Sequence, residues 1–536
     1  MGRKLLSRSN EFLGVDQKVW INLETAGFGE EVSGNTIPQA PGAIDFTTTN
    51  VTFDIPRDDS PSRSGRSVIA RLSGKKNVET NVESHIIPGD PDALGNPTLP
   101  PMHPFMLTAF GEVDTSDPTK IVYNLSRFNG NSARILEEAT HYSRVTVGCI
   151  MDGLTFNLPG DDKATMSMEG FAQDSFIAGE SKLAQALTGS EQLAALILQD
   201  LTYTAKAGTG SQGNLISVEY TTGATAGSEA VTVIGNAITV QIEDGVSTAD
   251  QIKTAVDADV DASALVDLTV SGTGTNAQSV AVAANLSGGL AEDEFKVEAG
   301  QGIRFEFGAW VDIIDGNDGD TNIVSARRVV AINNISVPKP EKGGVNADII
   351  RVEGGALPVA AVGDFALGHA PEDYDPLTSE KALLGLKGSL SVDGVAVGDG
   401  GDGCDMISAE ISLTNNFTQK DFLYGTSRIC GFIPDTRREV SVNLEILLNK
   451  DNFDFYMRNK CFVAEDITIT LEPQDICGPA FANSTGRTFE FKFPKVEFNI
   501  PPIENPSDSY VTLSLEGKAL APSNNQRDEE FTLTIR

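Results

Sequence analysis

The chain has 536 residues, 40% hydrophobic and 21% charged, enough for roughly two to four domains with cores of their own. Forty Lys and Arg stand against 75 Asp and Glu, a formal net charge of −35, which argues against tight wrapping of nucleic acid because that needs clustered cations. No run of about 18 apolar residues occurs, so no membrane-spanning helix and no membrane partner is expected.

The start, MGRKLLSRSNEFLGVD, carries Arg3, Lys4 and Arg8 but no apolar run of signal-peptide length. Gly2 is followed by Leu6 where N-myristoylation needs Ser or Thr. Folding in a cytoplasm is the expectation. "VWINLE" (19–24) then reads as a strand, as does "AWVDII" (309–314), and the two hold the only tryptophans. "NLPGDDKATMSMEGF" (157–171) and "FIPDTRREVSVNLEIL" (432–447) both run from an apolar-Pro pair through a charged turn into an alternating strand. This weak internal repeat suggests two related β domains. Residues 181–199, rich in Ala and Leu, read as a helix or as a hinge.

Composition then breaks. All 25 prolines lie outside residues 160–337, and residues 199–290 also lack Cys, Phe, Trp, His and Arg. Such a break marks a separate module. Within it, "NAITVQIEDGVSTADQIKTAVDA" (235–257) runs from a strand through Glu-Asp-Gly into an amphipathic helix capped by Ser247-Thr248, with Ile252, Ala255 and Val256 on one face. A glycine- and acid-rich turn of this kind is where many proteins hold phosphates or metals, but a turn and an N-cap require the same residues. Beyond the module, alternation at Val440, Val442, Leu444 and Ile446, at Ile467, Ile469 and Leu471, at Val511, Leu513 and Leu515, and at Phe531, Leu533 and Ile535 predicts antiparallel strands with one buried face. Phe489, Phe491 and Phe493 alternate too, then the phase slips at Pro494 and resumes at Val496, Phe498 and Ile500, predicting a bulge or kink.

Chemical motifs are few. "DGNDGD" (315–320) and "GDGGDGCD" (398–405) lack EF-hand spacing and read as turns. Cys149, Cys404, Cys430, Cys461 and Cys477 form no CxxC pair and are expected as buried free thiols; His85, His103, His141 and His369 are dispersed. Neither a phosphate-binding glycine loop nor a nucleophile elbow occurs. Asn-x-Ser/Thr at Asn124, Asn285, Asn334, Asn416 and Asn483 is coincidence without a secretory signal. No catalytic, cofactor or metal residue is nominated, and neither an enzyme nor a cofactor is expected.

The order of segments outside 199–290 resembles the tail tube proteins of long-tailed bacteriophages. The residues that carry this are "ESHIIPGD" (83–90), the proline-rich loop "NPTLPPMHP" (96–104) and "YSRVTVGCIMDGLTFNL" (142–158), read as a strand, a Gly-Cys pair and a second strand. The stronger part is C-terminal. "MISAEISLTNNFTQK" (406–420) resembles that family's strand ending in a paired Asn, and "GFIPDTRREVSVNLEILL" (431–448) its arginine turn and long strand. "FKFPKVEFNIPP" (491–502) and "VTLSLEGKAL" (511–520) resemble its closing strands. Residues 199–290 are similar to a module found inserted in several phage structural proteins.

The resemblance implies a mainly β chain, α+β overall. It would have tail-tube-type antiparallel sandwich or barrel domains at 1–185 and 295–536, possibly two related copies, and an inserted α+β domain at 186–294. It implies a structural virion protein, made in the host cytoplasm, that polymerises as stacked rings into the channel for genome delivery. Its partners would be itself, as trimeric pseudo-hexameric or hexameric rings, and the tape measure, terminator and baseplate proteins. DNA would pass through an acidic lumen without specific binding. The basic arm at Arg3, Lys4 and Arg8 would be an assembly element or a frayed end. The alternatives are another virion β protein, of capsid, decoration or baseplate, and a carbohydrate-binding adhesin.

Overall fold

A computed structural model of the chain describes residues 18–24, 43–45, 50–53, 76–126, 130–139, 142–315, 322–333, 348–368, 383, 388–397, 406–419, 431–448, 453, 457, 463–473, 487–499, 511–523 and 528–536. The fold is mainly β, with antiparallel sheets and few helices. Contacts divide the chain into two units. One comprises Lys18–Glu137, Val145–Ser175 and Asp373–Arg536; the other comprises Met1–Gln17, Glu138–Arg144 and Phe176–Glu372.

In the first unit both ends of the chain build one sheet. Strand Tyr142–Pro159 lies antiparallel to Met406–Thr414, pairing Phe156 with Ile411. Met406–Thr414 pairs in turn with Glu439–Leu447, and that strand with Thr512–Ala519. Likewise Ile121–Leu125 pairs with Thr532–Ile535, setting Tyr123 against Leu533. The division expected at residues 185 and 295 is therefore not the one observed. The flanks share a sheet and a core, and residues 295–372 group with the module instead. Alternation tells which face of a strand is buried but not which strand lies beside it, and the partners here are separated by hundreds of residues.

The alternation itself holds. Val440, Val442, Leu444 and Ile446 are buried, as are Ile467, Ile469 and Leu471. Phe531 stacks on Phe493 with ring centroids 4.8 Å apart, and Phe491 meets Phe156 edge-on at 5.0 Å. Each fully buried aromatic side chain contributes on the order of 2–3 kcal/mol through area removed from water. The two copies of the internal repeat differ: 157–171 is a hairpin turn between paired strands, whereas Phe432–Pro434 pairs with Phe417–Gln419 and not with Glu439–Leu447.

The slip at Pro494 involves no bulge against Ala464–Leu471. Register runs unbroken from Ala464↔Val496 to Leu471↔Phe489. Instead Asp466, across from Pro494, takes φ 53°, and on its other edge Phe489–Asn499 exchanges Thr532–Ile535 for Thr512–Ala519. Proline lacks the N–H for a ladder bond, so the strand changes partner there.

One helix was hidden in the proline-rich stretch. His103–Phe110 begins with Pro104 in its first turn and ends on Gly111 at φ 96°. Seven of its eight residues are buried, so it shows no amphipathic stripe.

In the second unit, Asp174–Lys182, Phe365–Gly368, Trp310–Ile314, Asn322–Asn333, Ile349–Val352 and Glu294–Lys296 pair in that order. Residues 181–199 form no helix. Leu183 and Leu187 bridge to Val297 and Ala360, Gly189 turns at φ 76°, and Ala195–Leu198 pairs with Leu201–Ala205. The Leu spacing of four mimics a helix, but Thr188-Gly189-Ser190 interrupts it.

The module has its own core, from Ala194 to Leu286. A three-stranded sheet (Ala195–Leu198, Leu201–Ala205, Val266–Val270) and a four-stranded one (Ala230–Ile234, Ala237–Ile242, Ser217–Thr222, Ala281–Asn285) enclose helix Ala249–Ala258. Ile252 and Val256 are fully buried, and Ala255 is partly so, as their spacing predicts.

Candidate functional site

The paired Asn and the arginine turn meet in the first unit. Strand Tyr142–Pro159 carries one extra residue, Asp152, between Met151↔Gly170 and Gly153↔Glu169. A bulge re-aims its residue out of the ladder. The Asp152 carbonyl accepts the Asn415 N–H at 2.7 Å, and its Oδ1 accepts the Phe417 N–H at 2.6 Å. Between those two, Asn416 takes φ 55°, a conformation Asn tolerates better than most residues.

Asn415 is buried and uses its whole amide. Nδ2 donates to the carbonyls of Ala109 (2.9 Å) and Met151 (3.3 Å), and Oδ1 accepts from Arg438 Nε at 3.2 Å. Asn416 Nδ2 donates to the Arg437 carbonyl at 2.7 Å. Arg438 also donates to the Ser126 carbonyl, and its NH1 lies 3.7 Å from Asp528 Oδ1. Burial pulls the Arg438 pKa down, while Glu530 and Asp528 oppose that. Burial raises Glu530, and burial followed by the Glu169 charge raises Asp152. The cluster is a clamp: Ala109, Ser126, Met151-Asp152, Asn415–Phe417, Arg437-Arg438 and Asp528 converge at one corner, and the Asn415 amide and Arg438 are committed to hydrogen bonds and an ion pair there. Residue type alone gives no reason to join Asn415 to Arg438; only the resemblance singles out those two motifs.

A second polar cluster lies near the Gly-Cys pair. Gly148, at φ 66°, donates its N–H to Glu24 Oε1 at 2.7 Å, and Ser132 Oγ donates to the other Glu24 oxygen. Cys149 is free and buried, as expected for a scattered thiol. Burial, then the Glu24 and Glu137 carboxylates, push its pKa well up, which keeps it a thiol and not a nucleophile. The other four cysteines lie outside the described residues, as do His141 and His369. His103 Nδ1 meets the Tyr123 hydroxyl at 2.8 Å, and burial lowers its pKa to about 4.

The module's Glu-Asp-Gly turn is likewise occupied by its own chain. Glu243 accepts the Ala226 N–H (2.8 Å), Asp244 the Val280 N–H (3.0 Å), and Ser247 Oγ donates to Glu229 (2.7 Å). Thr248 and Gln251 form a reciprocal capping box. The acidic runs lie outside the described residues, apart from Asp315. Among the described residues no group of three or more His, Cys, Asp or Glu is placed to hold a metal ion. No protein-family model matches this chain, and no curated protein matches it either.

Proposed function

We propose that the chain is a structural virion protein of tail-tube type, polymerising as stacked rings into a channel for genome delivery. The observation that carries this reading is the clamp. The two motifs singled out by resemblance, Asn415-Asn416 and Arg437-Arg438, come together at one corner and fix two long strands, Met406–Thr414 and Glu439–Leu447, side by side. A tube wall needs long strands held rigidly at their ends, and a committed polar corner supplies that. The excess of acid suits a lumen that repels passing DNA. The pairing of Tyr142–Pro159 with Met406–Thr414 joins a length of wall from each flank into one sheet. The module, with its own core, is a displayed insertion.

Negative-stain electron microscopy of the purified chain tests this. Hollow tubes or ring stacks with threefold, pseudo-sixfold or sixfold end views are expected. Closed shells, isolated spikes or persistent monomers at high concentration would overturn the reading.

A further inference from the structure

We propose that the module is a rigid arm: a joint built on two carboxylates, Glu191 and Glu294, holds it in one fixed direction on the strands of the second unit. The module leaves those strands and returns to them through two antiparallel segments. The Ala184 N–H reaches the Lys296 carbonyl at 2.8 Å, the Glu298 N–H the Lys182 carbonyl at 3.0 Å, and Gln192 and Leu290 bond in both directions. A two-stranded stalk by itself is only marginally stable and bends easily. Here the module's own turn, Gly208 with the short helix Gly210–Leu215, folds back and braces it.

Each segment of the stalk supplies one carboxylate to that turn. Glu191 accepts the Gly208 N–H through both oxygens, at 2.9 and 2.7 Å, and the Gly210 N–H through Oε1 at 2.8 Å. Glu294 accepts the Ser211 N–H through Oε2 at 3.0 Å and the Ser211 hydroxyl through Oε1 at 2.9 Å. Hydrogen bonds to an ionised acceptor are roughly twice as strong as neutral ones. Asn214 adds a reciprocal pair: its Nδ2 donates to the Gly289 carbonyl at 2.9 Å, and the Gly289 N–H donates to its Oδ1 at 2.8 Å. Ser211, Asn214 and Glu294 are buried, so water does not compete for them.

The joint is closed sterically as well. A Cβ on Gly289 would lie 2.6 Å from the Gly210 carbonyl oxygen, and one on Gly210, at φ 51°, would lie 2.7 Å from the Ala291 Cβ. Turn and returning segment therefore meet backbone to backbone, with no gap in which to rock. A module that needs only to be carried is served by a flexible linker. This one presents its surface in a single direction, and a push or pull on it passes into the strands of the second unit. The inference does not depend on the chain assembling into rings.

Time-resolved fluorescence anisotropy of the full chain tests this, with a dye attached through a non-natural residue at Val260, which is 80% exposed on the module. The same dye at Val359 of the second unit, 70% exposed, gives the motion of the dye itself. In the wild type the two decays should match, both ending in the slow tumbling of the whole chain. Glu191→Ala with Glu294→Ala should add a nanosecond component at Val260 alone. The Gly208, Gly210 and Ser211 amides should then exchange about tenfold faster or more, while those of helix Ala249–Ala258 stay protected. Gly289→Ala keeps both carboxylates and should add the same component, so it decides the matter if the double variant unfolds. A nanosecond module component in the wild type would overturn the rigid arm. So would variants whose turn exchanges faster, with the helix still protected, and whose decay at Val260 does not change.

Discussion

Arg438 donates from Nε to Asn415 Oδ1 at 3.2 Å, and the same Asn amide donates to the carbonyls of Ala109 and Met151. One side chain thus ties helix His103–Phe110 and the bulged strand to the arginine turn. Replacing it by Ala leaves two buried carbonyls and part of a buried cation unsatisfied. Asn415→Ala is expected to lower stability by about 3 kcal/mol in urea unfolding. A loss within a few tenths of a kcal/mol would mean the clamp is replaceable by water.

The bulged residue gives an opposite sign. Asp152 has its pKa raised in the folded state, chiefly by burial, so the folded protein binds the proton more readily than the unfolded one. Its contribution therefore improves as pH falls through that raised pKa and is least favourable at neutral pH. Asp152→Asn keeps an oxygen for the Phe417 N–H and removes the charge. A higher thermal midpoint than wild type at pH 7 is expected, with the gap narrowing toward acid. A lower midpoint at every pH would show that the carboxylate charge itself is needed.

His103 behaves in the reverse way. Burial lowers its pKa to about 4 from 6.5, so between those values the unfolded chain binds the proton and the folded one does not. Stability from this group is complete above pH 6.5 and is lost as pH falls toward 4, about 3 kcal/mol at full extent. The wild type should show this slope in denaturant midpoints, and His103→Gln should lack it. Equal slopes in both proteins would place the titration elsewhere.

These positions show where sequence was informative. Period-two runs gave the strands of Val440–Ile446 and Ile467–Leu471 because each has one buried and one wetter face. The helix at His103–Phe110 was invisible because burial on nearly all sides erases periodicity, and its Pro104 read as loop. Pairing of Ile121–Leu125 with Thr532–Ile535 has no local signature at all. For the clamp, neither Asn415 nor Arg438 differs in type from dozens of surface residues; what distinguishes them is convergence of distant segments, which follows from the topology.

The module's helix cap can be tested separately. Thr248 accepts from the Gln251 N–H, while the Gln251 side chain accepts from the Thr248 N–H at 2.8 Å. Thr248→Ala removes half of that box and should cost about 1 kcal/mol. Because the module's core is its own, the loss should appear as faster amide exchange in Ala249–Ala258, with the clamp strands unchanged. Slowed or unaltered exchange in the helix would show that packing of Ile252 and Val256 alone fixes it.

Excision of the module is the strongest test of its independence. Its two ends lie side by side: Gln192 and Leu290 exchange backbone hydrogen bonds at 2.8 and 2.9 Å, and the Ala195 N–H reaches the Ser287 carbonyl at 2.9 Å. A short linker in place of residues 195–287 therefore closes a gap the fold already closes, at small entropic cost. Among the ties across the cut is a buried one. Glu294 accepts from the Ser211 N–H (3.0 Å) and hydroxyl (2.9 Å), and both are lost, while the Ala291 N–H at 2.8 Å stays. Losing those two donors should cost about 1–3 kcal/mol, and Glu294→Gln in the excised chain should recover part of it. The expected result is a chain that keeps its β-rich circular dichroism and melts cooperatively, slightly below wild type, with the partial rescue by Glu294→Gln. Loss of all cooperative melting in both excised proteins would mean that the module belongs to the core of its unit.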